Sequence, residues 1–349
     1  MKKGMWFCLF FLLLLAGCSN KNSAQKNTAP DGEDAGIQIG MIFDTYVVER
    51  WQRDRDVFVS AAKELGAEVN VQNANGDVEE QVELMHYFIR KKADVIVVIP
   101  IDSQALADAV QEAKDAGIKV IAYDRLLTNA GVDLYVSFDN QMVGSLMGEA
   151  VSRVLKKGDQ VVMICGPTSD NNVSHVKIGF QQQMDQSGIT VSDIMYADGW
   201  KAELAAEYIN RNIDLIQDAG AIMCGNDDLA GQAVRALAEN RLAGRIYVVG
   251  QDADLAACQR IVEGTQYMTV YKPVEKLARC AASAAVELAQ GRIPDTEETI
   301  MDGTYQVPYI KLEPIAVTAE NMDEVIVDSG FHLKEDIYLN RPDLIKETK

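Results

Sequence analysis

Short apolar runs rich in valine and isoleucine recur along the chain at a nearly constant interval. IQIGMIF (37–43), AEVNVQNA (67–74), ADVIVVIP (93–100) and KVIAYD (119–124) are the first four. They are short and β-branched, and mostly unbroken by polar positions, which predicts strands covered on both faces. The segments between them carry the helical period instead. In VFVSAAKEL, Phe58, Ala61, Ala62 and Leu65 fall at helical spacing, and LADAVQEAKDAG closes on Gly117, a residue suited to a helix C-cap. Strand and helix in regular alternation are the signature of a parallel sheet wrapped by helices.

The pattern then restarts. DQVVMICGP (159–167), ITVSDIMYAD (189–198), AGAIMCGN (219–226) and RIYVVGQD (245–252) repeat the series, again with helices between. Two half-chains with one order of elements predict an α/β protein of two doubly wound parallel-sheet lobes. LYVSFD (134–139) is expected to make the first crossing between lobes. QYMTVYKP (266–273), with a helix from 275 to 291, is too short for a third lobe and is expected to return to the first. The predicted allocation is 37–139 with 271–305 for the N-terminal lobe. The C-terminal lobe and tail take 140–270 with 306–349.

The start of the chain breaks this pattern. Lys2 and Lys3 precede MWFCLFFLLLLA (5–16), a run short for a membrane span, which ends in LAGC (15–18). This resembles the lipobox of bacterial lipoproteins, so a signal peptide at 1–18 and lipidation of Cys18 are expected. SNKNSAQKNTAPDGEDAG (19–36) is polar without period and reads as a flexible tether of roughly 25 Å mean reach. An extracytoplasmic protein anchored to the cell membrane through Cys18 follows.

Bulk properties narrow the function. The 349 residues carry a net charge of −19, enough length for about two domains and the wrong sign for a nucleic-acid partner. Cys165 and Cys224 fall in predicted strands and Cys258 and Cys280 in predicted helices, without CxxC spacing, so buried free thiols are expected. His86, His175 and His332 are scattered, and no metal or cofactor is expected. No GxGxxG follows a strand, and neither GxxxxGK[ST] nor a nucleophile elbow occurs. These absences argue against an enzyme, and a monomeric binding protein is the expectation.

In open parallel sheets ligands bind beyond the carboxyl ends of the strands. Those positions hold Arg50, Trp51, Asp124 and Arg125 in the first lobe. The second supplies Asp170 and Asn172, then Trp200, Asn226 and Asp252, and Lys272 lies in the returning segment. Indole faces cover the C–H faces of a sugar ring, while carboxylates, amides and cations bond its hydroxyls. Five of these residues also have a plainer reading. Trp51 can begin the core face of its helix, Trp200 can be a packed loop residue, Asp124 and Asp252 can be helix caps, and Lys272 can be solvated.

AYDR (122–125), SFDN (137–140), SDNN (169–172), GQDADL (250–255) and MTVYKP (268–273) resemble the type I periplasmic sugar-binding proteins of bacterial ABC importers, and within them the D-xylose-binding branch. ERWQRDRDVF, VQNANG and DSGFH extend the match in the same order along the chain. The resemblance implies two lobes on a three-strand hinge closing on one sugar, contacts from the ten residues above, and ABC permease subunits as partners. It also makes Trp51 one plate of the sugar site. Asp44-Thr45-Tyr46 and Ser169 depart from the family pattern at the rim. A glucose or multi-sugar sensor that presents its liganded form to a membrane receptor kinase or chemoreceptor is the alternative left open. A sugar acid clamped by Arg50, Arg125 and Lys272 is disfavoured by the three aspartates nearby.

Overall fold

A computed structural model describes residues 36–48, 50–296 and 298–345. The expected signal segment with Cys18, the expected tether up to residue 35 and the last four residues lie outside them. No helix among the described residues is long and apolar enough to cross a membrane.

The chain begins β1 (Ile37–Phe43), α1 (Arg50–Glu64), β2 (Ala67–Asn73), α2 (Val78–Lys91), β3 (Val95–Val98), α3 (Ala107–Asp115), β4 (Lys119–Tyr123) and β5 (Leu134–Phe138). It continues through α4 (Asn140–Val154), β6 (Gln160–Cys165), α5 (Asn171–Ser187), β7 (Thr190–Tyr196), α6 (Glu203–Arg211), α7 (Ile213–Asp218) and β8 (Ala221–Cys224). Then follow α8 (Asp227–Glu239), β9 (Tyr247–Gln251), α9 (Leu255–Glu263), β10 (Met268–Tyr271) and α10 (Val274–Ala289). Last come β11 (Glu298–Met301), β12 (Gln306–Leu312), β13 (Ile315–Val317) and α11 (Lys334–Ile337).

Two sheets result, of seven strands in the order β11-β12-β5-β4-β3-β1-β2 and of six in the order β13-β10-β9-β8-β6-β7. Apart from the outer β11 and β13, which run antiparallel to their neighbours, the strands are parallel. The order β2-β1-β3-β4-β5 recurs as β7-β6-β8-β9-β10, so the lobes share one topology with a switch point beside β1 and β6. The apolar runs are unbroken because both faces are covered. Met41, Phe43, Val95 and Val97 pack with Phe58 of α1 and Leu277 and Ala281 of α10. Ile42, Ile96 and Val98 pack on the other face with Met85 and Phe88 of α2 and Val110 of α3. Phe58, Ala61 and Ala62 are buried as their spacing predicts, whereas Leu65, one residue past α1, is 47% exposed. Gly117 takes a left-handed φ of 81° just after α3.

The lobe boundaries shift from the sequence expectation. β10 does not return to the first lobe. It pairs with β9 and buries Met268 and Val270 in the second lobe's core, and the chain crosses only at Lys272-Pro273, where proline has no N–H for a further ladder bond. The following α10 packs on the first lobe as expected. Residues 306–312, assigned to the C-terminal lobe, form β12 of the first sheet beside β5. Val307 and Tyr309 are buried there, and the Tyr309 hydroxyl donates to the Phe138 carbonyl at 2.7 Å. The chain therefore crosses between lobes three times: β5 to α4, β10 to α10, and β12 to β13.

The segment after β13 closes the second lobe. Met322, Ile326, Phe331 and Ile337 pack against Cys258 and Ile261 of α9, and the Phe331 ring lies 4.7 Å from that of Tyr271. Phe331→Ala is expected to lower the unfolding free energy in urea by about 3 kcal/mol. A change near zero would show that this segment is not part of the lobe's core.

Candidate ligand site

The two sheets end on a common cavity lined by residues of both lobes. All ten residues expected at the site border it. In the first lobe β4 ends on Asp124, whose φ of 63° is left-handed. Its partner position in the second lobe is Asp252 at the end of β9, with φ 103° and Ala253 following at 58°. Neither aspartate caps a helix, and each turns the chain sharply at the cavity edge. The freed carbonyl of Asp124 is caught by the Ser137 hydroxyl at 2.6 Å, the Tyr135 hydroxyl at 3.0 Å and Asn172 Nδ2 at 3.1 Å.

Arg50 opens α1 and is buried, so its charge needs partners. Its Nη2 meets Asp124 Oδ2 at 2.9 Å and Asp54 Oδ1, one turn along α1, at 3.1 Å. Its Nη1 reaches Asp252 Oδ1 of the other lobe at 3.8 Å, and Lys272 Nζ meets the same oxygen at 2.7 Å. The Tyr123 hydroxyl donates to Asp54. A second chain runs through Arg125, which holds Asp44 Oδ2 at 2.6 Å and, across the cleft, Asp170 Oδ2 at 2.7 Å. Asn172 Nδ2 bonds Asp124 Oδ1 at 3.1 Å, again between lobes. The structure is thus closed, with both lobes bonded directly.

These carboxyls are not equivalent. Burial works against the charge of Asp124, yet Arg50, then Lys272 and Arg125, outweigh it and hold the carboxyl below the ordinary carboxylate value. At Asp170 burial prevails over Arg125, and the carboxyl is raised; Asp44 and Asp54 are raised by burial in the same way.

The second lobe builds its share from helix starts. Asp170 caps α5 by accepting from the Asn172 N–H at 2.9 Å, and also accepts from Trp200 Nε1 at 3.3 Å. Asn226 caps α8 through the Leu229 N–H at 2.9 Å, leaving its amide nitrogen for other use. Trp200, half-buried with φ 58°, lies over the ends of β6 and β8. A Cβ on Gly166 would stand 2.3 Å from its indole, so glycine is required there. Lys272 is 5% exposed and not solvated. Trp51 serves both readings at once: it sits in the core beside Phe43 with its ring 4.5 Å from the Arg50 guanidinium, and it borders the cavity.

Asn140, Gln251, Val48, Cys165, Val173 and Met223 also line the cavity and were not singled out. Asn140 and Gln251 stand inside the SFDN and GQDADL motifs at element ends, which is the signal that locates them. Burial pushes the Cys165 thiol up to about 12, which makes it a neutral wall. Among the described residues, two buried polar atoms of the lining, Trp51 Nε1 and Gln251 Oε1, have neither a hydrogen-bond partner nor an ion pair, whereas Asp252 Oδ1 is answered by Lys272.

The periplasmic binding protein domain family matches residues 39–293. The D-xylose-binding periplasmic protein of Haemophilus influenzae is 42% identical over 307 residues, 86% of this chain and 92% of that one. Its namesake in Escherichia coli is 40% identical over 306 residues, with the same coverage of 86% and 92%. A solved carbohydrate transporter solute binding protein of Chloroflexus aurantiacus, in complex with D-glucose, superposes with a TM-score of 0.79 at 28% identity, covering 86% of this chain and 98% of that one.

The opposite shifts of Asp124 and Asp170 set unequal outcomes for their amide variants. A carboxyl held below its unfolded value adds stability above about pH 4, and that stability is lost as pH falls through the lowered folded value. Asp124→Asn is expected to cost about 3 kcal/mol at neutral pH by urea denaturation, because it leaves Arg50 underpaired. Asp170→Asn keeps the helix cap and relieves a buried charge but takes from Arg125 one of its two carboxylates, so a smaller loss than that of Asp124→Asn is expected. Equal losses would contradict this ordering.

Proposed function

Because the chain belongs to the periplasmic binding protein family, we propose that it captures D-xylose between its two lobes outside the cytoplasm and delivers it to an ABC importer. The observation that carries this reading is the pair of unpartnered atoms, Trp51 Nε1 and Gln251 Oε1, in a cavity whose charges already answer one another. A buried donor and a buried acceptor are costly without partners, and a ring bearing hydroxyls supplies both. Three cations, Arg50, Arg125 and Lys272, face five buried aspartates, so a sugar acid would add unanswered negative charge. The identities of 42% and 40% to D-xylose-binding proteins favour xylose over other neutral sugars.

In this reading the indoles of Trp51 and Trp200 cover the faces of the ring. Asp124, Asp170, Asn172, Asn226, Asp252, Arg50, Arg125 and Lys272 bond its hydroxyls. The protein acts as a monomer whose closed form docks on the permease, held at the membrane surface by lipid on Cys18. The LAGC motif behind a charged start and an apolar run supports that anchor. A glucose-binding role, with the closed form read by a membrane receptor, is the second reading, favoured by the likeness to a glucose-bound relative at TM-score 0.79.

Titration of the purified protein with D-xylose, D-glucose, D-ribose, L-arabinose and D-galacturonate, followed by tryptophan fluorescence and calorimetry, tests the assignment. Saturable binding of xylose, with galacturonate inert, is expected. A preference for glucose moves the protein to the second reading, and silence toward all five sugars overturns both.

A further inference from the structure

Asp227 does not border the cavity, yet it is 1% exposed and sits beneath the turn that carries Asp252. Its Oδ1 accepts from Gln266 Nε2 at 2.8 Å, and its Oδ2 accepts from the Thr269 hydroxyl at 2.7 Å and the Asp254 N–H at 3.2 Å. The Ala253 N–H in turn donates to Thr269 Oγ1 at 3.2 Å. The two N–H groups that follow Asp252 are thus held by Asp227, one directly and one through Thr269. A Cβ on Gly250 would stand 2.3 Å from Asp227 Oδ1, so the strand gives up a side chain to admit this carboxylate.

None of the donors can reverse. Gln266 accepts from Arg260 Nε on its oxygen at 2.9 Å and gives its Nε2 also to the Met268 carbonyl at 3.1 Å, which fixes its amide. Thr269 uses its oxygen for Ala253, so its proton goes to Asp227. Both carboxylate oxygens therefore face donors, and an N–H or O–H on either one would oppose another. What the arrangement holds is a strained turn, with Asp252 and Ala253 both at left-handed φ.

We infer that Asp227 is a positioning residue for the sugar site: through Thr269 and Asp254 it pins the Asp252 turn, so that the Asp252 carboxylate meets Lys272 and, across the cleft, Arg50. The inference rests on the sugar-binding reading of the cavity.

The group is held at some cost to the fold. Burial pushes the Asp227 carboxyl up to about 7, against the hydrogen bonds of Thr269 and Gln266 and the charge of Arg260. The titratable and charged groups facing it are Cys224 of β8, Cys258 and Arg260 of α9, and Asp252 and Asp254 of the turn. Because the folded value lies above the unfolded one, protonation at falling pH adds stability while it removes an acceptor from the turn. Affinity and stability are thus expected to move in opposite directions.

The test measures D-xylose affinity by calorimetry and melting temperature, at about pH 8 and about pH 6, for wild type, Asp227→Asn, Thr269→Val and Thr269→Ser. At the higher pH Asp227→Asn is expected to bind about tenfold more weakly than wild type. Wild-type affinity weakens several-fold toward the lower pH, whereas that of Asp227→Asn stays flat. Thr269→Val binds weakly and Thr269→Ser, which keeps the hydroxyl, binds as wild type. Should Asp227→Asn fail to fold, the Thr269 pair decides the matter, and equal affinity of the two overturns the inference. So does wild-type affinity in Asp227→Asn at both pH values. A wild type that binds neither xylose nor any other sugar of the panel overturns the functional reading instead, and the inference with it.

Discussion

A guanidinium taken out of water must be answered by carboxylates, and this requirement organises the molecule around its cleft. Arg50 and Arg125 are each 5% exposed, and each spans from the lobe that carries it to the other. Their partners are aspartates at strand ends and in the first turns of helices, and one of them, Asp252, is shared with the hinge-borne Lys272. The pairs Arg125–Asp170 and Arg50–Asp252 exist only when the lobes meet. Opening therefore has to hand these charges back to water or to groups on their own lobe. Asp44 and Asp54 serve as such groups: each stays with its arginine from the same lobe, so that lobe one keeps a paired network by itself.

The same requirement accounts for the strained backbone. Asp124 and Asp252 occupy equivalent strand ends in two lobes of one topology, and both take left-handed φ values that aspartate tolerates but does not favour. Each such residue costs about 1–3 kcal/mol unless its surroundings hold it. Around Asp124 the holding groups are the hydroxyls of Ser137 and Tyr135 and the amide of Asn172. Around Asp252 they are Asp227 and Thr269. The two lobes share the turn and its purpose but secure it with different chemistry, neutral donors in one and a buried carboxylate in the other.

How far the sequence disclosed this follows the same physics. Strands buried on both faces leave unbroken apolar runs, so β1, β3, β4, β6, β8 and β9 stand out. Helices with one buried face leave a period. β11, β12 and β13 leave neither. They are short and partly exposed, and Pro308 interrupts β12 at the point where it pairs with β11 but not yet with β5. Their absence from the sequence reading is why residues 306–312 were placed in the wrong lobe. The ten candidate site residues were accessible because the ends of parallel strands are predictable once the strands are. Asp54 and Asp227 were not, because they act through other protein groups, and Asp44 shows in the sequence only as a departure at the rim. Only the fold shows Asp44 to be within reach of Arg125, which stands 81 residues later.

Closure also depends on contacts that touch no ligand. At one rim the Ser103 N–H donates to the Ser169 carbonyl at 3.0 Å, and the Ser169 hydroxyl donates to the Ile101 carbonyl at 3.3 Å. At the other, the Arg53 guanidinium lies 4.3 Å from the Phe331 ring centroid. Each joins the lobes at the cleft's edge, where water competes and the gain is small. That balance suits a device which must open as well as close. A ligand shifts the equilibrium only through contacts it makes better in the closed form. Rim contacts strong enough to close the empty molecule would leave such contacts little to shift. In the centre the situation differs, because Trp51 Nε1 and Gln251 Oε1 are buried in the closed form without a protein partner. Leaving such atoms buried and unpaired is costly, and in the proposed reading a ligand hydroxyl would remove that cost. In that reading the ligand's leverage would come from what the protein leaves unsatisfied as much as from what it offers.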